Sequence, residues 1–159
     1  MLALVLAGMA GAASAMAQNA ATANITADVQ QPVTVTKSAD LIFGTVFPGS
    51  NKTIAVTAAG AAAFTVTGQA SAAIDLTFTL PTTIANGGST MPLGSWTGAH
   101  NIVNTAVAGT SFTPSASATS TTLSVLGARY VFIGATAQPS VSQTAGTYSG
   151  SFTMTVVYP

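Results

Sequence analysis

The chain has no cysteine, no glutamate and very few charged residues of either sign. Its charged side chains are Asp28, Asp40, Asp75, Lys37, Lys52 and Arg129, and its single histidine is His100. Thiol catalysis, thiolate metal sites and carboxylate pairs therefore have almost no groups to draw on. A formal net charge of +0 gives no electrostatic attraction to nucleic acid or to anionic lipid. We expect no enzyme activity, no metal site, no cofactor and no nucleic-acid partner.

The low charge also bears on how the protein exists in solution. Only 4% of the residues are charged, whereas a freely soluble monomer normally relies on charge for its solubility. This composition favours a surface that becomes packed in an assembly. Without cysteine, the chain must be held together by its core and its sheets alone.

The first 17 residues have the pattern of a secretory signal. An apolar run at residues 2–6 is followed by small residues, and Ala15 and Ala17 lie where a signal peptidase requires small side chains. We predict a signal peptide at residues 1–17 and a mature protein that begins at Gln18. The apolar run is shorter than the roughly 20 residues that span a bilayer, so we expect export through the periplasm and no membrane segment in the mature form.

Short alternating segments dominate the rest of the chain, and helix signals are nearly absent. The segments predicted as strands are 21–29, 33–36, 41–47, 53–57, 63–67, 74–80, 101–104, 122–126, 129–135 and 147–158. The Gly- and Pro-containing stretch 86–96 predicts a loop, and residues 110–122 predict a loop or a weak edge strand. The pattern predicts an all-β antiparallel sandwich in one domain, residues 32–159.

The two terminal segments alternate most regularly. Near the C-terminus one face carries Tyr148, Phe152, Met154, Val156 and Tyr158. Near the N-terminus one face carries Ala21, Ala23, Ile25, Ala27 and Val29. Pro32 separates this second segment from the sandwich because proline cannot donate to a ladder. We call residues 18–31 the arm. It is either a strand that inserts into a neighbouring groove or an ordinary first strand of a closed sandwich.

Trp96 and His100 are the only other residues that suggest a site. An aromatic face with polar neighbours suits a sugar ring, so the two could line a shallow glycan patch. We favour the simpler interpretation, in which Trp96 closes the end of the sandwich and His100 is a polar loop residue.

The residues around Pro32, from 21 to 46, together with the closing segment 145–156, resemble a bacterial secreted family known as domain of unknown function 4402. That family is similar to spore-coat-U and fimbrial subunits. Chaperone-usher pilins add a parallel, because Tyr158 is penultimate and Gly146 lies about fourteen residues from the last residue. The disulfide of many pilins has no counterpart here.

The resemblance implies an immunoglobulin-like sandwich that lacks one strand and is completed by a donor strand from another subunit. The donor face would be Ala21, Ala23, Ile25, Ala27 and Val29. The acceptor would be the terminal strand with Gly146, Tyr148, Phe152, Met154, Val156 and Tyr158. The implied partners are identical subunits in a head-to-tail homopolymer, a periplasmic chaperone and an outer-membrane usher.

Three functional classes therefore remain at this stage. The first is a structural subunit of a cell-surface filament, such as a pilus or fimbria. The alternative is a monomeric secreted or cell-surface binding module, for glycans or adhesion, whose arm folds back into its own groove. An enzyme comes last, because no convergent titratable groups are present.

Overall fold

The structure is a computed structural model that describes residues 19–159, so the predicted signal peptide lies outside the described residues. Within this range the chain forms strands and no helix. The strands are β1 (Thr34–Ala39), β2 (Lys52–Ile54), β3 (Ala62–Thr67), β4 (Ala73–Thr79), β5 (Thr83–Asn86), β6 (Ser89–Asn101), β7 (Thr110–Phe112), β8 (Thr119–Thr122), β9 (Ala128–Ala137) and β10 (Thr153–Val157). The predicted all-β class is confirmed.

The strands form two antiparallel sheets that enclose a common core. The larger sheet has the order β1-β3-β9-β6-β5, with β2 also paired to β9 and β7 also paired to β6. The smaller sheet has the order β10-β4-β8. Because β1 lies at one edge of the larger sheet and β10 at one edge of the smaller, each sheet ends in a strand that is paired on one side only.

The core is built by the alternation that the sequence shows. In β4, Ile74, Leu76 and Phe78 are buried and pack between the sheets. Val131 and Ile133 of β9 meet them from the larger sheet and are fully buried. Burying side chains of this size stabilises the fold by roughly 1.5 to 3 kcal/mol each. In a chain without cysteine, this burial is the main interaction that holds the two sheets together.

The prediction of a loop at residues 86–96 was wrong. Asn86 and Ser89 form the last pair of a β5–β6 hairpin, whose two-residue turn is Gly87-Gly88 with Gly87 at a φ of 57°. Glycine adopts this positive φ without strain, and two-residue hairpins require it. The same stretch then continues into β6, which has 13 residues and is the longest strand described. The glycines mark a hairpin and not a long loop.

Three predicted strands were also wrong. Residues 41–47 leave the sheet after β1, and Gly44 has a φ of 66° that interrupts any extended run. Residues 101–104 turn at Asn101, whose side-chain Nδ2 donates to the carbonyl of Thr105. Thr122 is the last residue of β8, and residues 123–126 leave the strand and turn. Apolar residues at these places line loops.

The range 110–122 holds two short strands, β7 and β8, in line with the weak-strand alternative. The C-terminal strand is shorter than predicted, since β10 covers only Thr153–Val157. Before it, residues 143–152 run beside the sheets, held by an isolated bridge between Ser149 and Ala85. This irregular segment and the one after β1 lie on the two sides of an apolar cleft.

Candidate functional site

The two edge strands β1 and β10 border an open side of the sandwich. Among residues 19–159, β1 pairs only with β3 and β10 pairs only with β4. The start of β1 lies beside the end of β10, because the Tyr158 hydroxyl bonds the carbonyl of Gln31. The two strands therefore run in opposite directions on either side of the opening. Each presents a row of backbone N–H and C=O groups without a strand partner.

A cleft of about 860 Å³ opens at the far end of this side, where β1 ends and β10 begins. One wall is the segment 39–46 that follows β1. The other wall is the segment 143–152 that precedes β10. The floor is formed by Ala62 and Phe64 of β3 together with Met91, Leu93 and Trp96 of β6. The cleft is thus mostly apolar, and it lies where the two edge strands meet their adjoining irregular segments.

Three aromatic rings give the floor its shape. Phe152 packs edge-on against Phe64 with ring centroids 5.7 Å apart and an interplanar angle of 78°. Trp96 packs on the other side of Phe152 at 5.5 Å. Such pairs add to the energy of simple area burial and hold each other in place. The floor is therefore a preformed surface for an apolar side chain.

The wall at residues 143–152 is fixed to the β5–β6 hairpin. Gln143 Nε2 donates to the Thr90 carbonyl at 3.0 Å and to the Tyr148 hydroxyl at 2.6 Å. The Tyr148 hydroxyl in turn donates to the Thr144 carbonyl at 2.8 Å. A Cβ on Gly146 would overlap the Asn86 side chain, so the backbone approaches the hairpin closely only with glycine there. These contacts hold the cleft open.

The arm lies apart from this cleft. Residues 19–32 form no strand, and the apolar side chains of Ile25 and Val29 are each 96% exposed. Its last residues are tied to the body, since Tyr158 bonds Gln31 and also accepts a hydrogen bond from the Gln69 N–H at 2.7 Å. Within residues 19–159, the apolar face of the arm therefore has no packing partner.

The structure separates the residues that were predicted as one acceptor strand. Gly146, Tyr148 and Phe152 line the cleft. Met154 and Val156 point into the core, each 8% exposed. Tyr158 lies at the opposite end, at the root of the arm. The donor face Ala21, Ala23, Ile25, Ala27 and Val29 is exposed throughout.

Sequence reasoning missed the floor of the cleft. Phe64 was assigned to a strand without a functional role, and Met91, Leu93 and Trp96 were placed in a loop. The Asn86-Gly87-Gly88-Ser89 run was the available signal, because such a two-residue turn predicts a hairpin whose strand would have carried these apolar residues.

His100 does not belong to a surface patch. It lies on β6, is 7% exposed and packs against Phe112 at 5.7 Å. Burial lowers its pKa below the ordinary value, and the nearby Arg129 charge lowers it further. The prediction of a polar loop residue was wrong, and a shallow glycan patch that uses both Trp96 and His100 is excluded by this burial.

Residues 19–159 contain no group of three or more His, Cys, Asp or Glu side chains placed to hold a metal ion. Over the same range, no helix is long and apolar enough to cross a lipid bilayer.

Fold and cleft together define an all-β sandwich protein with an unpaired strand on each side of an apolar opening. The chain belongs to the family described as domain of unknown function (DUF4402), whose model matches residues 33–158. The matched region starts directly after Pro32, so the arm lies outside it. No curated protein matches the chain.

Proposed function

We propose that this protein is a structural subunit of an extracellular bacterial filament, in which the arm of one subunit adds a strand between β1 and β10 of the next. One observation carries the proposal. The body has two unpaired edges around an apolar cleft, while the chain's own arm presents an unpartnered apolar face of matching period. The relation to fimbrial subunits, and with it a chaperone and an usher as assembly partners, is part of this proposal.

The physics of the contact would be β-augmentation. Backbone hydrogen bonds to the edge strands supply affinity, and alternate side chains in the groove set the register. Burying Ile25 and Val29 would stabilise the contact by roughly 1.5 to 3 kcal/mol each, with smaller contributions from the alanines. The small alanine side chains would let the arm backbone approach the edge strands closely.

The arm is long enough to extend along β10 and beyond it. An extended segment from residue 21 to residue 29 spans about 30 Å at 3.3 Å per residue. Strand β10 has five residues and covers about half of that distance. The remainder of the arm would lie along the wall at residues 143–152, over the aromatic floor of the cleft.

The alternative is a monomeric binding module. The root of the arm lies beside the start of β1, so an arm that turned back at Pro32 would enter its own groove. A glycan or another ligand would then bind a surface that the inserted arm leaves uncovered.

Two matched substitutions test the proposal. Ile25→Asp places a charge on the apolar face of the arm, whereas Thr26→Asp places the same charge on the polar face because successive side chains of a strand point to opposite sides. We expect Ile25→Asp to abolish filaments seen by negative-stain microscopy, at a cost of several kcal/mol for the buried charge. Thr26→Asp should still form them.

Controls for folding complete the experiment. Circular dichroism should show that the Ile25→Asp subunit folds when a peptide of residues 18–31 is supplied. Filaments that persist with Ile25→Asp, or identical behaviour of the two variants, would exclude the arm as donor. Material that is monomeric in size-exclusion chromatography even without substitutions would favour the binding module.

A further inference from the structure

The sandwich has two ends that carry different surface features. We call the end with Gln31, Gly68 and Tyr158 the base end, since the arm leaves the body there. We call the end with the cleft and its walls the cleft end. Strand β1 runs from the base end to the cleft end, and β10 runs back.

An exposed apolar turn lies at the base end. Val125 and Leu126 are 80% and 89% exposed. The turn adjoins the root of the arm, because the Gly68 N–H donates to the Gly127 carbonyl at 2.9 Å and the next N–H, that of Gln69, donates to Tyr158. The two apolar side chains therefore project beside the point from which the arm departs.

An exposed apolar rim lies at the cleft end. Ile42, Phe47 and Val141 are 61%, 69% and 88% exposed. Ile42 lines the cleft. Val141 lies against Gly49, whose N–H donates to the Ser140 carbonyl at 2.9 Å, and Phe47 precedes this glycine by two residues. These three residues form the apolar rim at the mouth of the cleft.

The charges at the cleft end complement the arm. Lys37 lines the cleft and pairs with Asp40 at 2.6 Å, which is the only ion pair among residues 19–159. Lys52 Nζ donates to the carbonyl of Thr45, a cleft residue, at 3.2 Å. Lys52 has no carboxylate partner among residues 19–159. Asp28 is the only charged side chain of the arm, and it lies close to the root.

Asp28 can reach Lys52 only when the body of the donor sits at the cleft end of the acceptor. The cation at the base end is Arg129, and its guanidinium points to β8, since it donates to the Thr122 carbonyl of that strand. Strand β8 is at the far edge of its sheet from β10. An arm entering from the base end would instead bring Asp28 near β1, whose Lys37 is already paired with Asp40.

We propose that the base end of one subunit docks on the cleft end of the next, with Val125 and Leu126 of the first against Ile42, Phe47 and Val141 of the second, and with Asp28 beside Lys52. This inference rests on the proposed function and adds a second contact to it. The arm then runs antiparallel to β10. The two surfaces differ, so the contact is heterologous and each added subunit leaves a free cleft end for another.

Introduced cysteines test the contact cleanly, because the chain has none of its own. Leu126→Cys and Val141→Cys both replace highly exposed residues and should not disturb folding. Under mild oxidation, a variant with both substitutions should give a ladder of disulfide-linked multimers on a denaturing gel. A mixture of the two single variants should give dimers at most, and each single variant alone should stay monomeric on the gel. Leu126→Cys combined with Val103→Cys, on the exposed loop after β6, is the control that should give no ladder.

Charge reversal supplies a second readout. Asp28→Lys and Lys52→Asp should each slow filament growth followed by light scattering, and the two together should restore it, because steering between complementary charges mainly changes the association rate. Slow growth that persists in the double variant would overturn the placement of Asp28.

The outcomes separate this inference from the proposed function. Filaments that form without a Leu126–Val141 ladder would overturn the end-to-end contact and leave the filament proposal intact. Disulfide-linked dimers of Leu126→Cys alone would show base ends facing each other, and this would also overturn it. Absence of filaments from the unsubstituted protein would remove the proposed function and this contact together.

Discussion

The Tyr158 hydroxyl donates a 2.8 Å hydrogen bond to the carbonyl of Gln31 and so joins the end of the last strand to the root of the arm. The same oxygen accepts from the Gln69 N–H at 2.7 Å. A Cβ on Gly68 would overlap this hydroxyl, so glycine is required for the phenol to reach both partners. One side chain therefore fixes the point at which the arm leaves the sandwich.

Tyr158→Phe should destabilise the protein by about 1 to 2 kcal/mol. The substitution keeps the ring but removes both hydrogen bonds and leaves the Gln69 N–H without its partner. Urea unfolding followed by circular dichroism measures the change. Tyr130→Phe is the matched control, because no hydrogen bond of the Tyr130 hydroxyl occurs within residues 19–159. Equal stability of the two variants would show that the bridge contributes nothing.

Acid should weaken the fold through His100. Burial lowers the pKa of this group in the folded state, and Arg129 lowers it further, while the unfolded chain has the ordinary value near 6.5. At pH values below that value the unfolded state binds more protons, so the free energy of unfolding falls as the pH drops toward the folded pKa. At pH values above the ordinary value, the contribution of His100 to stability is fully retained.

Because His100 is the only histidine of the chain, its protonation can be followed without overlap from other imidazoles. A proton NMR titration of His100 should give a pKa below the ordinary value, and His100→Phe should lose less stability than the wild type between pH 7 and pH 5. A titration at or above the ordinary value would contradict the burial of the ring.

Gly98→Ala should destabilise the core by about 1 to 3 kcal/mol through overpacking. A Cβ there would lie 2.7 Å from Phe112 Cε1, and the ring cannot move freely because it packs against Phe78 and His100. Gly88→Ala, in the hairpin turn where a Cβ would meet nothing within 4 Å, is the control. Thermal unfolding of the two variants should differ by several degrees, and equal melting temperatures would mean that Phe112 adapts.

Truncation of two leucines should affect two different properties, subunit stability and assembly. Leu76→Ala removes a fully buried side chain and should cost about 2 to 5 kcal/mol of stability. Leu126→Ala truncates an exposed one and should change subunit stability by less than about 0.5 kcal/mol, while it weakens assembly. Denaturant unfolding gives the first quantity and the critical concentration for filament growth gives the second. A large loss of subunit stability with Leu126→Ala would show that the turn packs on its own domain.

Much of the candidate site lay beyond prediction from the sequence. The floor of the cleft joins Phe64 of β3 and Trp96 of β6 with Phe152, which directly precedes β10. These residues are far apart along the chain. Their meeting depends on the order of strands in the larger sheet, and no local pattern encodes that order. The orientation of Trp96 and His100 depends further on the register shift between Gly94 and Thr97, because a bulge changes which side chains face inward.

The sequence by itself determined the class of the protein and the alternation of its best strands. Ile74, Leu76 and Phe78 alternate with polar residues, and a period of two places them on one buried face whatever the topology. Pro32 likewise predicted where the arm ends, because proline cannot donate to a ladder. Only the tertiary structure decided where the chain leaves an opening, because an unpaired edge is a property of which strands become neighbours and is not written in any one strand.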